Sequence, residues 1–152
     1  MTWYELWLFL HISAVSVWVG GAVVAQVFGV LAKRSGDPAQ SAALGRNMAV
    51  VGPWVFMPSS LVVLVSGLLL VNEGNWDWDE TFIVLGLIGW ALVSFTAFGY
   101  VTRAMGRIGA RIAAEGPSPE LGAAVNRLVM TSRVLVLVLF AVIFVMVVKP
   151  GT

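Results

Sequence analysis

From Leu6 to Leu31 the chain runs for 26 residues without one Asp, Glu, Lys or Arg. A helix of a soluble domain averages about 10–14 residues, whereas crossing the hydrocarbon of a bilayer takes about 20. Three further stretches have the same character: Met48 to Val71, Thr81 to Val101, and Leu128 to Val148, the last with Arg133 near its start. Lipid offers no partner to a backbone N–H or C=O, so a segment that crosses it must pair those groups within itself, as an α-helix does. The runs therefore predict an all-α, polytopic membrane protein: an antiparallel bundle of four transmembrane helices in one membrane domain, residues 1–152. The expected helices cover about 3–32, 38–72, 80–115 and 119–148.

Composition excludes the soluble alternative. Hydrophobic residues make up 59% and charged residues 11%, against roughly 45–50% and about 25% in soluble domains. Such a chain in water would expose large apolar patches and aggregate. Its net charge of +1 gives no reason to expect nucleic acid. Cysteine is absent, which removes disulfides, thiolate metal sites and cysteine nucleophiles. The first run exceeds the roughly 7–15 residues of a signal-peptide core and has no basic residue before it, so it reads as a retained membrane helix.

Charge between the runs sets the expected orientation. The first loop carries Lys33, Arg34 and Arg46 against Asp37. The second carries Glu73, Asp77, Asp79 and Glu80, with no Lys or Arg. Around the third lie Arg103, Arg107, Arg111, Arg127 and Arg133. Basic loops stay cytoplasmic, which puts loops one and three inside and both termini outside. Trp3, Tyr4, Trp76 and Trp78 then gather at the outer interface, where amphipathic rings are favoured. The expected location is a bacterial plasma (inner) membrane.

Local signals mark the helix ends. Asp37-Pro38 and Ser118-Pro119 each pair an N-cap with proline at the first helical position. Gly116-Pro117 ends the third helix. Gly52-Pro53 and Pro58 interrupt the second, because proline lacks the N–H and crowds the preceding turn. A kink is expected near Pro53 or Pro58, with Ser59, Ser60 or a neighbouring helix serving the freed Trp54 carbonyl.

The one histidine, His11, lies in the first run. At about 1.5 Å per residue it sits roughly 12 Å below Trp3. A titratable side chain at that depth is a functional candidate. At heptad spacing its face carries Tyr4, Trp7, His11, Ala14, Trp18, Gly21, Ala25 and Phe28. Counting in from each helix end places Ser66 and Gly67, Gly86, Gly89 and Trp90, and Leu139 to Ala141 at the same depth. Two readings follow. The glycines leave room for a flat ring beside the imidazole, and haem b would be such a ring, with His11 as axial ligand and Trp7, Trp18, Ser66, Gly67, Gly86, Gly89 and Trp90 around it. Alternatively His11 hydrogen-bonds Ser66 or a backbone carbonyl, and the glycines let helices approach.

A closed metal site is not expected. Zinc wants about four ligands; no second histidine exists and no carboxylate lies within a run. Met57, Met105, Met130 and Met146 lie at scattered depths, unsuited to copper(I). Arg103, Arg107 and Arg111 form an i, i+4, i+8 stripe whose like charges repel, so an anion or a lipid headgroup is expected against it. Ser16-x-x-x-Gly20 is helix-packing material, within the bundle or in a homodimer.

These residues carry a resemblance. Leu10-His11, then Trp18-Val19-Gly20-Gly21, Pro58 to Gly67, and Lys149-Pro150-Gly151 resemble a domain-of-unknown-function family of predicted bacterial integral membrane proteins, over nearly the whole chain. That likeness implies four membrane helices and no particular activity. More distantly, helices one and two are similar to the copper-resistance CopD domain and to HemJ-type protoporphyrinogen oxidase. The HemJ likeness implies haem held by an early histidine, here His11. That family also has a functional lysine in its third helix, and residues 81–100 contain none. The functions to weigh are a haem-binding protein in redox or haem handling, a non-catalytic accessory or scaffold subunit of a membrane complex, and a small-solute or copper permease. No acid, base and nucleophile set stands out, so an enzyme is not expected. Expected partners are the lipid bilayer and a homodimer or larger membrane complex, with no nucleic acid.

Topology is open to a direct test. Of Ser35→Cys, Asn75→Cys and Ser118→Cys, each made singly, only the Asn75 variant should react with a membrane-impermeant thiol label in intact cells. Labelling at Ser35 or Ser118 in its place would invert the arrangement.

Overall fold

A computed structural model describes residues 2–151, apart from the side chains of Pro38, Ser41 and Ala42. Helix α1 (Trp3–Ser35) is one unbroken rod. Helix α2 (Pro38–Val51) passes through a π-helical segment, Gly52–Phe56, into α3 (Met57–Glu73). Helix α4 (Thr81–Ser94) passes through a second π-helical segment, Phe95–Val101, into α5 (Thr102–Glu115). Helix α6 (Pro119–Val148) completes the set. Four rods are thus long and apolar enough to cross a membrane: Trp3–Ser35, Ala43–Glu73, Thr81–Glu115 and Pro119–Val148.

Capping chemistry explains where the rods begin. Thr2 and Glu5 form a reciprocal capping box, with the Thr2 N–H donating to Glu5 at 2.8 Å and the Glu5 N–H donating to the Thr2 hydroxyl at 3.2 Å. Asp37 accepts from the Ala39 N–H at 2.8 Å, and Ser118 from the Leu121 N–H at 3.2 Å. Gly36 and Gly116 end α1 and α5 at φ 67° and 81°, values that suit a residue without Cβ.

The second rod is interrupted where the prolines stand, by a π-helical segment. The Met57 N–H reaches back five residues to the Gly52 carbonyl, so one widened turn lies just before Pro58. A π turn inserts an extra residue into the ladder, and Pro58 then falls in the first turn of α3, where a missing N–H matters least. Ser60 does not turn back to Trp54; its hydroxyl lies 2.9 Å from that of Ser94. The π segment of the third rod contains no proline. There the Thr102 N–H and hydroxyl both donate to the Ala97 carbonyl, the hydroxyl at 2.9 Å.

The rods pack as a square: first beside second, second beside third, third beside fourth, and fourth beside first. Neighbours are antiparallel. His11 meets Ser66 while Gly21 meets Phe56 further along, and Gly86 meets Met146 while Gly89 meets Val142. The main core joins Trp18, Val19, Val93, Leu135 and Leu139; a second cluster joins Val71, Phe82 and Ile83. The heptad face of α1 turns inward through Ala14 and Trp18, but Phe28 is 53% exposed. An α-helix drifts about 20° per heptad, enough over three repeats to carry Phe28 off the seam.

Rods of 30 to 35 residues are roughly 45–52 Å long, against about 30 Å of hydrocarbon. Charge divides the two ends: eight of the nine basic residues sit at one with only Asp37, Glu115 and Glu120, whereas the opposite end holds five acids and Lys149. Glycine packing gives a paired test. A Cβ on Gly21 would lie 2.5 Å from Phe56 Cε1, whereas one on Gly20 meets nothing within 4 Å. Gly21→Val should destabilise the bundle by about 1–3 kcal/mol through overpacking, and Gly20→Val by less than about 0.5 kcal/mol, read as thermal unfolding in detergent.

Candidate functional site

Ser66 is a buried serine inside an apolar helix, and its hydroxyl has one proton to give. That proton goes back to the Val62 carbonyl one turn earlier, the usual recourse of a serine within a helix. The same oxygen lies 3.1 Å from His11 Nδ1. With its proton committed, Ser66 can only accept, so Nδ1 carries the hydrogen and donates it. Nε2 is then the unprotonated nitrogen of a neutral imidazole. The imidazole also hydrogen-bonds the backbone of Val63, so Val63 and Ser66, both of α3, hold the ring. Gly67 completes the seat: a Cβ there would come within 3.2 Å of His11 Cε1 and 3.5 Å of Nδ1, so that edge of the ring lies close against α3.

The other residues level with His11 are engaged elsewhere. A Cβ on Gly86 would fall 1.8 Å from Met146 Cε, and one on Gly89 2.2 Å from Val142 Cγ2. These notches take side chains of α6. Trp90 donates its indole N–H to the Ser60 carbonyl and hydroxyl, at 3.0 and 3.1 Å. Trp7 stacks on Trp3 with centroids 6.2 Å apart, and Trp18 is core. The ring of residues expected around His11 therefore reduces to Ser66 and Gly67.

Trp90, Ser60 and Ser94 make a second polar cluster, which ties α3 to α4 across the centre of the bundle. Both serines are buried, at 2% and 6% exposure. In hydrocarbon such interhelical bonds contribute about 0.6–2 kcal/mol each. No three His, Cys, Asp or Glu side chains cluster as metal ligands among the described residues.

The arginine stripe divides. Arg111 pairs with Glu115 at 3.2 Å and approaches Glu120 at 3.9 Å. Such exposed pairs are largely screened by water; their consequence here is positional, since they turn Arg111 toward the start of α6. Arg103 and Arg107 are exposed on α5 and remain the two members available to an outside anion. At the opposite end, Lys149 sits 4.4 Å above the Trp76 ring, itself edge-on to Phe82. Sequence reasoning found no contact for the chain's last turn. The signal was Trp76 one loop away from a lone lysine.

One family model, described as "Predicted integral membrane protein (DUF2269)", matches residues 5–150. The chain belongs to that family, and its fold and its family agree that it is an integral membrane protein. No curated protein matches it. No solved structure matches it.

The tautomer argument can be checked on the single imidazole. Nitrogen-15 NMR of histidine-labelled protein should show Nδ1 protonated and Nε2 bare. Ser66→Ala should collapse that preference into a mixture and cost about 1–2 kcal/mol of stability. An Nε2-protonated imidazole in the unaltered protein would overturn the assignment.

Proposed function

We propose that this protein is a non-catalytic accessory subunit that acts through its outer surfaces, as one helical element of a larger complex in the bacterial plasma membrane. The observation that carries this is how the interior is filled. The notches at Gly21, Gly67, Gly86 and Gly89 are occupied by Phe56, His11, Met146 and Val142. The buried serines bond to Ser94, Trp90 and His11 in turn. Groups that would otherwise line a cavity instead join one helix to the next. This favours a scaffold over a permease of solutes or copper, whose path needs polar groups facing a cavity. With basic loops cytoplasmic, both termini face outward.

The alternative with an observation in its favour is haem b ligated by Nε2 of His11, the reading implied by likeness to HemJ. A neutral imidazole whose other nitrogen is fixed by a hydrogen bond is the usual form of a haem ligand. The filled notches count against it, since they leave the macrocycle to lie outside the helix–helix seams.

One preparation separates the two. Gently solubilised membranes should carry the protein in a native-gel band heavier than a dimer of its 16.3 kDa chain, and the purified protein should show no Soret band after growth with haem precursor. A monomer or simple homodimer would overturn the scaffold reading. A Soret band that His11→Ala abolishes would establish the haem reading in its place.

A further inference from the structure

Two recesses open at the basic end of the bundle. There α2 lies against the last turns of α1 and leaves between them a groove of about 800 Å³, within the roughly 300–1,000 Å³ of small-molecule sites. Phe28 and Leu31 of α1 face Leu44 and Met48 of α2 across it, and Asn47 supplies a polar edge. On the other side of Leu31 a recess of about 300 Å³ reaches Arg34. Leu31 is the wall common to both. Arg34 has no carboxylate within ion-pair distance among the described residues. The result is an apolar slot with an uncompensated guanidinium one turn beyond its wall.

Depth and charge identify what belongs there. The charge-free run of α1 ends at Leu31 and its first cations are Lys33 and Arg34, which sets Phe28 to Leu31 at one edge of the hydrocarbon and Arg34 among the headgroups. At that level a phospholipid presents its upper acyl carbons, glycerol and phosphate. Eight basic residues against three acids stand at this end of the rods, a field that favours a headgroup with net negative charge. Guanidinium binds phosphate oxygens in a bidentate fork. We propose that this groove holds one anionic phospholipid of the surrounding bilayer, its acyl chain between Phe28, Leu31, Leu44 and Met48 and its phosphate on Arg34. The site is distinct from Arg103 and Arg107, and it does not depend on the accessory role.

Native mass spectrometry tests it. The purified full chain in detergent is titrated with phosphatidylglycerol, or with phosphatidylcholine of the same acyl chains. One phosphatidylglycerol should be retained about tenfold more tightly, because the choline ammonium of phosphatidylcholine offsets the phosphate charge that Arg34 and the basic end attract. Arg34→Gln, an exposed change that should leave the fold intact, should erase the preference. Leu31→Trp, which fills the slot, should weaken retention of both lipids. Arg103→Gln should change neither. Equal retention of the two lipids, an undiminished preference in Arg34→Gln, or the same loss in Arg103→Gln would overturn the site. So would a photoreactive residue at Leu44 that captured a protein in native membranes.

Discussion

Hydrocarbon contains nothing that can hydrogen-bond a backbone amide or a side-chain hydroxyl, and the rest of this structure follows from that. The backbone answers with four rods whose ladders close on themselves. The few polar side chains inside answer by pairing. Ser66 returns its proton to its own helix and accepts from His11; Ser60 meets Ser94 and takes the indole N–H of Trp90. Each group that would be costly alone becomes a fastening between two rods. The two π segments belong to the same economy of partners. At Gly52–Phe56 the widened turn absorbs the missing N–H of Pro58, and at Phe95–Val101 both donors of Thr102 converge on one carbonyl.

Glycine has two unlike uses along these rods. Gly21, Gly67, Gly86 and Gly89 are notches that receive a side chain from a neighbouring helix, and they set how closely the rods approach. Gly20, Gly29 and Gly99 meet nothing, so the small-residue pattern of Ser16 and Gly20 faces away from the bundle. The spacing is similar in both groups. Which glycine is a notch depends on the rotation of its helix about its own axis, and that rotation is settled by the large side chains at Trp18, Phe56, Val93 and Leu139.

Electrostatics acts at the ends and not in the middle. Between the interfaces the chain carries almost no charge. Beyond them it is polarised, with an acidic loop around Lys149 at one end and arginines at the other. At the basic end the arginines do not act alike. Arg111 is drawn in by Glu115 and Glu120, Arg103 and Arg107 face outward, and Arg34 borders the recess on the other side of Leu31. A stripe of equal charges on paper becomes three different environments once α6 and α2 are in place.

What the sequence determined by itself was the set of decisions that lipid makes. The four apolar runs, the proline and glycine punctuation at Asp37-Pro38, Gly116 and Ser118-Pro119, and the depth of His11 beside Ser66 and Gly67 all follow from helix rise and local chemistry, which need no partner helix. Tertiary packing alone decided what those helices present to one another. It filled Gly86 and Gly89 with Met146 and Val142, gave Trp90 to Ser60 rather than to His11, carried Phe28 off the heptad seam, and opened the groove between α1 and α2. Rise per residue is the same for every α-helix, so depth can be counted along a sequence. Rotation is a collective choice among four packed rods, and no single run contains it.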